Sequence, residues 1–331
     1  MAGILFVLRL TSSTWSNHAK TALFRKRQPQ NFTVRMEPNC SQTTHQTTGN
    51  VTDTGGVPLN AEAYANFQEY PQRENLIALQ KANFKVPPRS QQQHLEVGCG
   101  PGGFTKSHVL DHCSPCLRLV AVDKAAAMID VAKKTSQHAR IYYDVLDIEA
   151  GDVESFAKKY GRFSRVYSFL TFHFLKSQKA GYVNVRRLLE DDGECFVTGC
   201  LESAILNAWL DVYIRKNWRM AIPDPRKVFC DMHYFYCKKS PSELESQVRK
   251  LVADAGLNCL DCQVYQRNWE FPDVQTALDF VFMCFDFEHQ VPAEDLSEFR
   301  EAWRETLTRM RTLTSTGSAF QFTFYTVHAT R

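Results

Sequence analysis

The stretch "LEVGCGPGGF", residues 95 to 104, places four glycines directly behind a short apolar run that contains one acid. It satisfies G-x-G-x-x-G through Gly98, Gly100 and Gly103, and G-x-G-x-G through Gly98, Gly100 and Gly102. Glycines at this spacing between a strand and a helix let the backbone approach a nucleotide closely. The pattern predicts a nucleotide-type ligand at a strand-to-helix turn, but by itself it does not identify the ligand.

The acid of this stretch is Glu96, two residues before the first glycine. A dinucleotide site directs backbone N–H groups and a helix N-terminus at a pyrophosphate, which a carboxylate in this position would repel. A ligand with a cationic amino-acid end and a sulfonium centre would be attracted instead. The acid therefore favours S-adenosylmethionine over a dinucleotide.

Strand-like and helix-like segments alternate on both sides of the glycine loop. Helices are predicted from Phe104, over 124–137, around Ser155 and over 178–189. The strand-like segments between them are "HLEVG" (94–98), "LRLVAVD" (117–123), "RIYYDV" (140–145), "FSRVYSFL" (163–170) and "GECFVTGC" (193–200). Five such repeats predict a parallel sheet with helices on both faces.

The C-terminal part predicts two further strands. "SPSE" (240–243) is a capping box with Pro241 at the first helical position, and Gly256 closes that helix. The strands follow as "LNCLDCQVYQRNW" (257–269) and "AFQFTFYTVHATR" (319–331). No helix-like segment after Thr314 provides a parallel crossover, so the last strand should be antiparallel. The fold class is therefore α/β, a doubly wound, mostly parallel, seven-stranded Rossmann-like sheet.

Two long segments, 201–239 and 271–316, interrupt the alternation after the fifth and sixth strands. Both leave the carboxyl edge of the sheet, where doubly wound folds bind their ligands. Both are partly helical and rich in aromatic residues. They predict a cap over an apolar pocket, although such aromatics also serve as ordinary core.

The domain is predicted over 59–331, beginning with an amphipathic helical segment that Pro71 breaks or kinks. Residues 1–58 are rich in Ser, Thr, Asn and Gln, and carry no acid before Glu37. This extension is interpreted as a disordered tail or a targeting segment of mitochondrial type. A start at Met36 is a further alternative.

Composition restricts the class of protein. The formal net charge is +3 and the basic residues are scattered, which argues against a nucleic-acid partner. No apolar run approaches the roughly 18 residues of a membrane-spanning helix. Eleven irregularly spaced cysteines in a long chain indicate reduced thiols and a cytoplasmic protein, with mitochondrial import as the alternative.

The pairs Cys113/Cys116 and Cys259/Cys262 have the spacing of zinc half-sites. The first lies in a predicted helix-to-strand turn and the second in a strand-like run. Nothing in the pattern brings the two pairs together, so free thiols are expected and no metal is predicted.

Two further acids follow predicted strands. Asp123 ends "LVAVD", where a carboxylate accepts both ribose hydroxyls of a bound nucleoside. Asp147 in "DVLDIE" follows the third strand, in position to accept from an adenine amino group. Each acid alone also suits a solvated loop or a helix cap. Together with Glu96 they indicate a nucleoside site.

With these motifs, residues 60–331 resemble the class I S-adenosylmethionine-dependent methyltransferases, and among them the arthropod juvenile hormone acid O-methyltransferases. "EVGCGPGGFTK" (96–106) resembles that family's D-L-G-C-G-D-G loop, and "VLDIE" (145–149) is shared almost unchanged. "FSRVYSFLTFHFL" (163–175) resembles its F-x-x-V-F-S-F-x-T-L-H-W-I strand. The resemblance implies the class I fold, S-adenosylmethionine as cofactor, and methylation of an apolar acid such as farnesoic acid or juvenile hormone acid.

Carried over by position, the resemblance also implies site residues. The cofactor contacts would be Glu96, Gly98, Gly100, Gly102, Asp123, Asp147, Phe169 and Leu170. Gln72, or Gln68 if one extra residue is allowed for, would bind the substrate carboxylate together with His173. Phe174 occupies a substrate-binding position where the family has tryptophan, so an indole N–H donor is missing.

Methyl transfer to a carboxylate needs no general base, because an acid with a pKa of roughly 4 is already ionised near neutral pH. The protein has to align the reactants and exclude water. Two other hypotheses fit the same cofactor loop. One is an N- or O-methyltransferase of another small molecule, and the other is a noncatalytic methyltransferase-like binding protein, suggested by Phe174 and Pro101.

Overall fold

The computed structural model describes residues 61–65 and 68–331. The predictions for residues 1–58, including the targeting segment and the start at Met36, lie outside the described residues. No helix in the described part of the chain is long and apolar enough to cross a membrane.

A single mixed sheet organises the described residues. Its strands are β1 (Gln93–Val97), β2 (Arg118–Asp123), β3 (Ile141–Val145), β4 (Phe163–Ser168), β5 (Leu189–Ser203), β6 (Asn258–Phe271), β7 (Thr312–Leu313) and β8 (Ser318–Thr330). The order is β3-β2-β1-β4-β5-β8-β6, with β7 paired to β8. Strands β1 to β5 are parallel to one another, whereas β8 runs antiparallel to both β5 and β6.

This topology confirms the predicted fold class, including the antiparallel last strand. The two-residue strand β7 is the difference from the predicted seven strands, since a pair so short leaves no periodic pattern. The strand order reverses between β1 and β4, which opens a crevice at the carboxyl ends of these strands.

The helices cover both faces of the sheet and its carboxyl edge. They are α1 (Ala61–Ala65), α2 (Glu69–Lys81), α3 (Leu110–Cys113), α4 (Ala126–Thr135), α5 (Val153–Tyr160), α6 (Gln178–Leu188), α7 (Ala204–Ile214), α8 (Pro225–Val228), α9 (Pro241–Asp254), α10 (Val274–Cys284) and α11 (Leu296–Met310). A π-helical turn, Thr105–Val109, leads into α3. Two 3₁₀ turns span Phe172–Phe174 and Lys216–Met220.

Local signals in the sequence set several helix ends. The Ser240 hydroxyl accepts from the Glu243 amide, and the Glu243 carboxylate accepts from the Ser240 amide, which completes the predicted capping box of α9. Gly256 follows that helix at φ 80°, a conformation that favours glycine. The predicted break at Pro71 is wrong in position, since α2 begins at Glu69 and continues through Pro71. A proline in the first helical turn is tolerated because its missing N–H would have no partner there.

The long segments after β5 and β6 fold into α7, α8, α10 and α11, which pack around one aromatic cluster. At its centre, the Trp209 ring lies 4.9 Å from Phe285 and 4.8 Å from Phe287, and Phe287 lies 5.6 Å from Trp303. These rings are buried. The predicted aromatic segments therefore supply both core and, as described below, a cavity wall.

Candidate active site

Two adjoining cavities lie at the carboxyl edge of the sheet. The first, about 120 Å³, is walled by the glycine loop, the ends of β2 and β4, and the loop after β3. The second, also about 120 Å³, is walled mainly by apolar side chains from both long segments and from β8. The two walls share Tyr64, Leu170 and Phe174.

The glycine loop owes its shape to backbone conformations that favour glycine. Gly98, Gly100 and Gly102 have φ values of 75°, 53° and 77°. A Cβ on Gly98 would lie 2.0 Å from Thr171 Oγ1, and one on Gly102 would lie 2.6 Å from the Tyr143 hydroxyl. Gly98 and Gly100 line the first cavity, whereas Gly102 lies outside its wall and packs closely against Tyr143.

Asp123 fastens this loop to the end of β2. Its two carboxylate oxygens accept from the Gly100 amide at 3.0 Å and from the Ala125 amide at 2.9 Å. The carboxylate lines the first cavity, and burial raises its pKa. Each oxygen keeps a further lone pair for a ligand hydroxyl.

Glu96 lies in β1 beneath the loop, is 2% exposed, and is absent from the wall of the first cavity. Burial raises its pKa to about 7. The Thr105 hydroxyl lies close enough to lower this pKa in part. Within 3.5 Å and with good angles, however, neither Glu96 Oε2 nor the Thr105 hydroxyl has a hydrogen bond in the described part of the chain, and both atoms are buried. Such polar atoms are costly, and a cationic group reaching them would lower that cost.

Asp147, Phe169 and Leu170 all line the first cavity. Asp147 Oδ1 accepts from the amides of Glu149 and Ala150 at 2.8 and 3.3 Å, so a single oxygen holds the turn. Leu170 has a φ of 47°, which is uncommon for a branched side chain. Its amide donates to Thr198 at 3.1 Å, which holds this conformation at the wall shared by both cavities.

His173 and Phe174 belong to the 3₁₀ turn after β4 and both line the second cavity. The Cys200 amide donates to His173 Nδ1 at 3.5 Å, so in the neutral ring Nε2 carries the proton. Burial lowers the pKa of His173 to about 3, with a smaller contribution from His233. His173 is therefore a neutral N–H donor near pH 7. The Phe174 ring packs 4.3 Å from the His173 ring and offers no donor.

Gln72 does not line the cavity that contains His173. Its Nε2 donates to Gln68 Oε1 at 2.6 Å and lies 3.1 Å from where a Cβ on Gly103 would be. The two glutamines thus form a pair against the glycine loop, and neither lines the cavity that holds His173.

The cavity walls also contain residues that sequence reasoning missed. Lys124, Ala125 and Met128 line the first cavity, Cys200 and Ser203 line the second, and Tyr64 lines both. Met128 follows Asp123 at the start of α4, a local signal that was available. Tyr64 lies more than 30 residues before the glycine loop, and only the packing of α1 brings it there.

The cysteines of 61–65 and 68–331 are all free thiols. The same residues contain no group of three or more His, Cys, Asp and Glu side chains that could hold a metal ion.

The chain is similar to known methyltransferases over part of its length. Residues 95–197 match the family model described as "Methyltransferase domain". Juvenile hormone acid O-methyltransferase of Bombyx mori is 23% identical over 255 residues, covering 77% of this chain and 88% of that protein. Malonyl-[acyl-carrier protein] O-methyltransferase of Bacillus cytotoxicus is 29% identical over 135 residues, covering 41% of this chain and 44% of that protein. Among solved structures, Haemonchus contortus phosphoethanolamine N-methyltransferase 2 aligns with a TM-score of 0.48 at 14% identity, over 86% of this chain and 58% of that one.

Proposed function

We propose that this chain, an S-adenosylmethionine-dependent methyltransferase, O-methylates the carboxylate of an apolar isoprenoid or fatty acid such as farnesoic acid or juvenile hormone acid. The observation that carries the proposal is the pair of adjoining cavities. One has the polar anchors of a nucleoside site, and the other is an apolar chamber containing a neutral N–H donor, His173.

The residues of the first cavity fit the cofactor. Asp123 would hold the ribose hydroxyls and Asp147 the adenine amino group, while Phe169 and Leu170 would flank the adenosine. Gly98 and Gly100 would approach the cofactor with their backbone, and Gly102 would shape the loop. The partnerless Glu96 oxygen beneath the loop suits the ammonium group of the methionine end.

When bound, S-adenosylmethionine would supply an electrophilic methyl group: the C–O bond to an acceptor carboxylate would form as the C–S bond breaks and S-adenosylhomocysteine leaves, so an already ionised acid needs no general base. The chain's own task is to position the acceptor and to keep water away from it. His173, neutral because it is buried, would donate to the acceptor carboxylate rather than remove a proton. Gln72 packs against the glycine loop and lines neither cavity, so it would reach the acceptor carboxylate only after its pair with Gln68 opens.

The apolar wall suits a long hydrocarbon tail. At ~0.8 kcal/mol per buried CH₂, an isoprenoid of about 15 carbons gains on the order of 8–12 kcal/mol gross from burial. That gain offsets the cost of desolvating the charged end. The names of both curated relatives describe O-methyltransferases, and the Bombyx mori protein is named for an acid, which supports the same reaction class here.

The same proposal assigns residues 59–331 to one methyltransferase domain, capped by the segments 201–239 and 271–316. Its reduced thiols are consistent with a cytoplasmic protein.

The test begins with calorimetric titration of S-adenosylmethionine into the full chain. Micromolar binding is expected, and no binding at sub-millimolar cofactor would favour a noncatalytic protein. Product mass spectrometry with apolar carboxylic acids, and with amine and alcohol acceptors of matched size, then defines the reaction. Methyl esters from the acids support the proposal, whereas methylated amines or alcohols alone would replace it.

His173→Ala and Gln72→Ala test the carboxylate contacts, with His138→Ala, an exposed histidine outside both cavities, as the matched control. We expect kcat/KM for the acid to fall in the first two variants and to stay unchanged in the control. Unchanged turnover in both His173→Ala and Gln72→Ala would remove this assignment of the acceptor site.

A further inference from the structure

The boundary between the two cavities has a single polar side chain among the described residues. Three residues line both cavities, and the side chains of two of them, Leu170 and Phe174, are hydrocarbon. The third is Tyr64, from the short helix α1, which packs on α4 and α10. Any methyl group that passes from one cavity to the other crosses the region that Tyr64 faces.

The Tyr64 ring lies against the glycine loop, since a Cβ on Gly100 would lie 3.9 Å from its Cε1 atom. The ring also packs against the apolar clusters that contain Phe280 and Met128. In the described part of the chain its hydroxyl has no hydrogen-bond partner, whereas both oxygens of the neighbouring Asp123 accept from backbone amides. The hydroxyl therefore has its hydrogen-bonding capacity available for a ligand.

The ionisation state of Tyr64 is fixed by its surroundings. Burial raises the pKa of its phenol well above the usual range, and the nearby Cys284 and Asp123 raise it further. The hydroxyl is therefore un-ionised near neutral pH and acts as a donor. A carboxylate that has lost its water is the acceptor with which such a donor bonds most strongly.

Other donors in the acceptor cavity are differently placed. His173 belongs to the acceptor cavity alone, and its neighbour Phe174 carries no N–H. The Ser203 hydroxyl accepts from the Ile205 and Leu206 amides as the cap of α7. Neither His173 nor Ser203 lines the cofactor cavity, whereas Tyr64 does.

We propose that Tyr64 is an acceptor-binding residue whose O–H donates to the carboxylate oxygen that is not being methylated. With His173 N–H on the other side, this contact would fix the plane of the carboxylate, so that its second oxygen faces the methyl group. The inference rests on the proposed function, because it presupposes an acid as acceptor. It makes Tyr64 a determinant of selectivity for acids over neutral molecules of the same shape.

The experiment compares Tyr64→Phe, which removes only the hydroxyl, with Tyr213→Phe. Tyr213 is a matched control because it packs on the same aromatic cluster, lies outside both cavities and makes no hydrogen bond through its hydroxyl in the described part of the chain. Binding of farnesoic acid and of farnesol, the neutral alcohol with the same chain, is measured by calorimetry on the full-length protein saturated with S-adenosylhomocysteine. Turnover of farnesoic acid is measured in parallel.

For Tyr64→Phe we expect acid affinity to fall about tenfold or more, as for a lost hydrogen bond to a charged group. Affinity for farnesol and for S-adenosylhomocysteine should change less than about threefold, which is within ~0.7 kcal/mol. kcat/KM for the acid should fall at least as much as acid affinity, and the control variant should match wild type.

Equal losses for acid and alcohol would reduce Tyr64 to a packing residue and overturn the inference. A selective loss of S-adenosylhomocysteine affinity would make it a cofactor contact and also overturn it. Both outcomes leave the proposed function standing if the wild type still esterifies acids. If the wild-type complex binds no apolar acid, the proposed function fails and the inference fails with it.

Discussion

Replacing Asp123 by asparagine should destabilise the protein even without cofactor. The two oxygens of Asp123 accept from two different backbone amides, those of Gly100 and Ala125. An asparagine has one acceptor oxygen, so its NH₂ group must face one of these N–H donors in either orientation of the amide. Leaving a buried donor unsatisfied costs about 1–3 kcal/mol. We expect Asp123→Asn to lower the free energy of unfolding of the ligand-free chain by that amount.

The matched control is Asp147→Asn. A single oxygen of Asp147 accepts from both Glu149 and Ala150 amides, so asparagine can preserve both bonds and turn its NH₂ group toward the cavity. Stability should therefore remain within about 0.5 kcal/mol of wild type, as for most substitutions away from special features. Affinity for S-adenosylhomocysteine should fall, because a donor then faces the adenine amino group.

Urea unfolding of the ligand-free proteins and calorimetry with S-adenosylhomocysteine measure the two effects separately. Asp123→Asn should lose both stability and affinity, and Asp147→Asn only affinity. An Asp123→Asn variant as stable as wild type would refute the argument that both oxygens are needed to hold the loop.

Two further predictions concern the loop and the acid beneath it. Gly98→Ala combines a φ of 75° with a Cβ 2.0 Å from Thr171 Oγ1, so the free energy of unfolding should fall by about 2–4 kcal/mol and cofactor affinity should fall with it. Gly161→Ala introduces the same substitution at a similar φ of 84° outside both cavities and should leave cofactor affinity unchanged. Intact cofactor binding in Gly98→Ala would contradict the loop's role. Burial raises the pKa of Glu96 from 4.5 to about 7, so the folded state holds this proton more tightly than the unfolded state does. The free energy of unfolding of the ligand-free protein should therefore decline as the pH rises from 4.5 to 7, by roughly 3 kcal/mol at most. Urea titrations at several pH values should show this decline in wild type and not in Glu96→Gln. If the unfolding free energies of the two proteins depend on pH in the same way, the pKa of Glu96 is not raised.

Much of the sheet could be predicted from the sequence because its signals are local. Alternating apolar strands and helices indicate parallel βα units whatever their final order, and the missing crossover helix before residues 319–331 leaves the last strand antiparallel. The capping box at Ser240 and the glycine after α9 involve contacts only a few residues apart. Such features depend on interactions between residues close in sequence, so they can be predicted from the sequence.

The site was predictable where function depends on position along a strand. Asp123 ends β2 and Asp147 follows β3, and the carboxyl ends of parallel strands meet at one edge, so both reach the same cavity. Glu96 shows the limit of this reasoning. The alternation of side chains along β1 and the packing around Thr105 determine the direction in which the Glu96 side chain points. Its carboxylate lies beneath the loop instead of on the cavity wall.

Residues from outside the βα units escaped prediction. Helices α1 and α2 dock on the sheet through contacts distant in sequence, so no local pattern indicates that Tyr64 lines both cavities or that Gln72 packs against Gly103. The tautomer of His173 depends on an amide of β5, 27 residues away. These arrangements follow from tertiary packing, which a single sequence does not reveal.

The central claim is that an apolar acid meets the methyl donor at the boundary between the two cavities. The most direct measurement is mass spectrometry of the products formed by the wild-type full chain from methyl-labelled S-adenosylmethionine and farnesoic acid. We expect a labelled methyl ester whose formation depends on the enzyme and saturates with the acid. Bound cofactor with no ester from farnesoic acid or from any other apolar acid would contradict it.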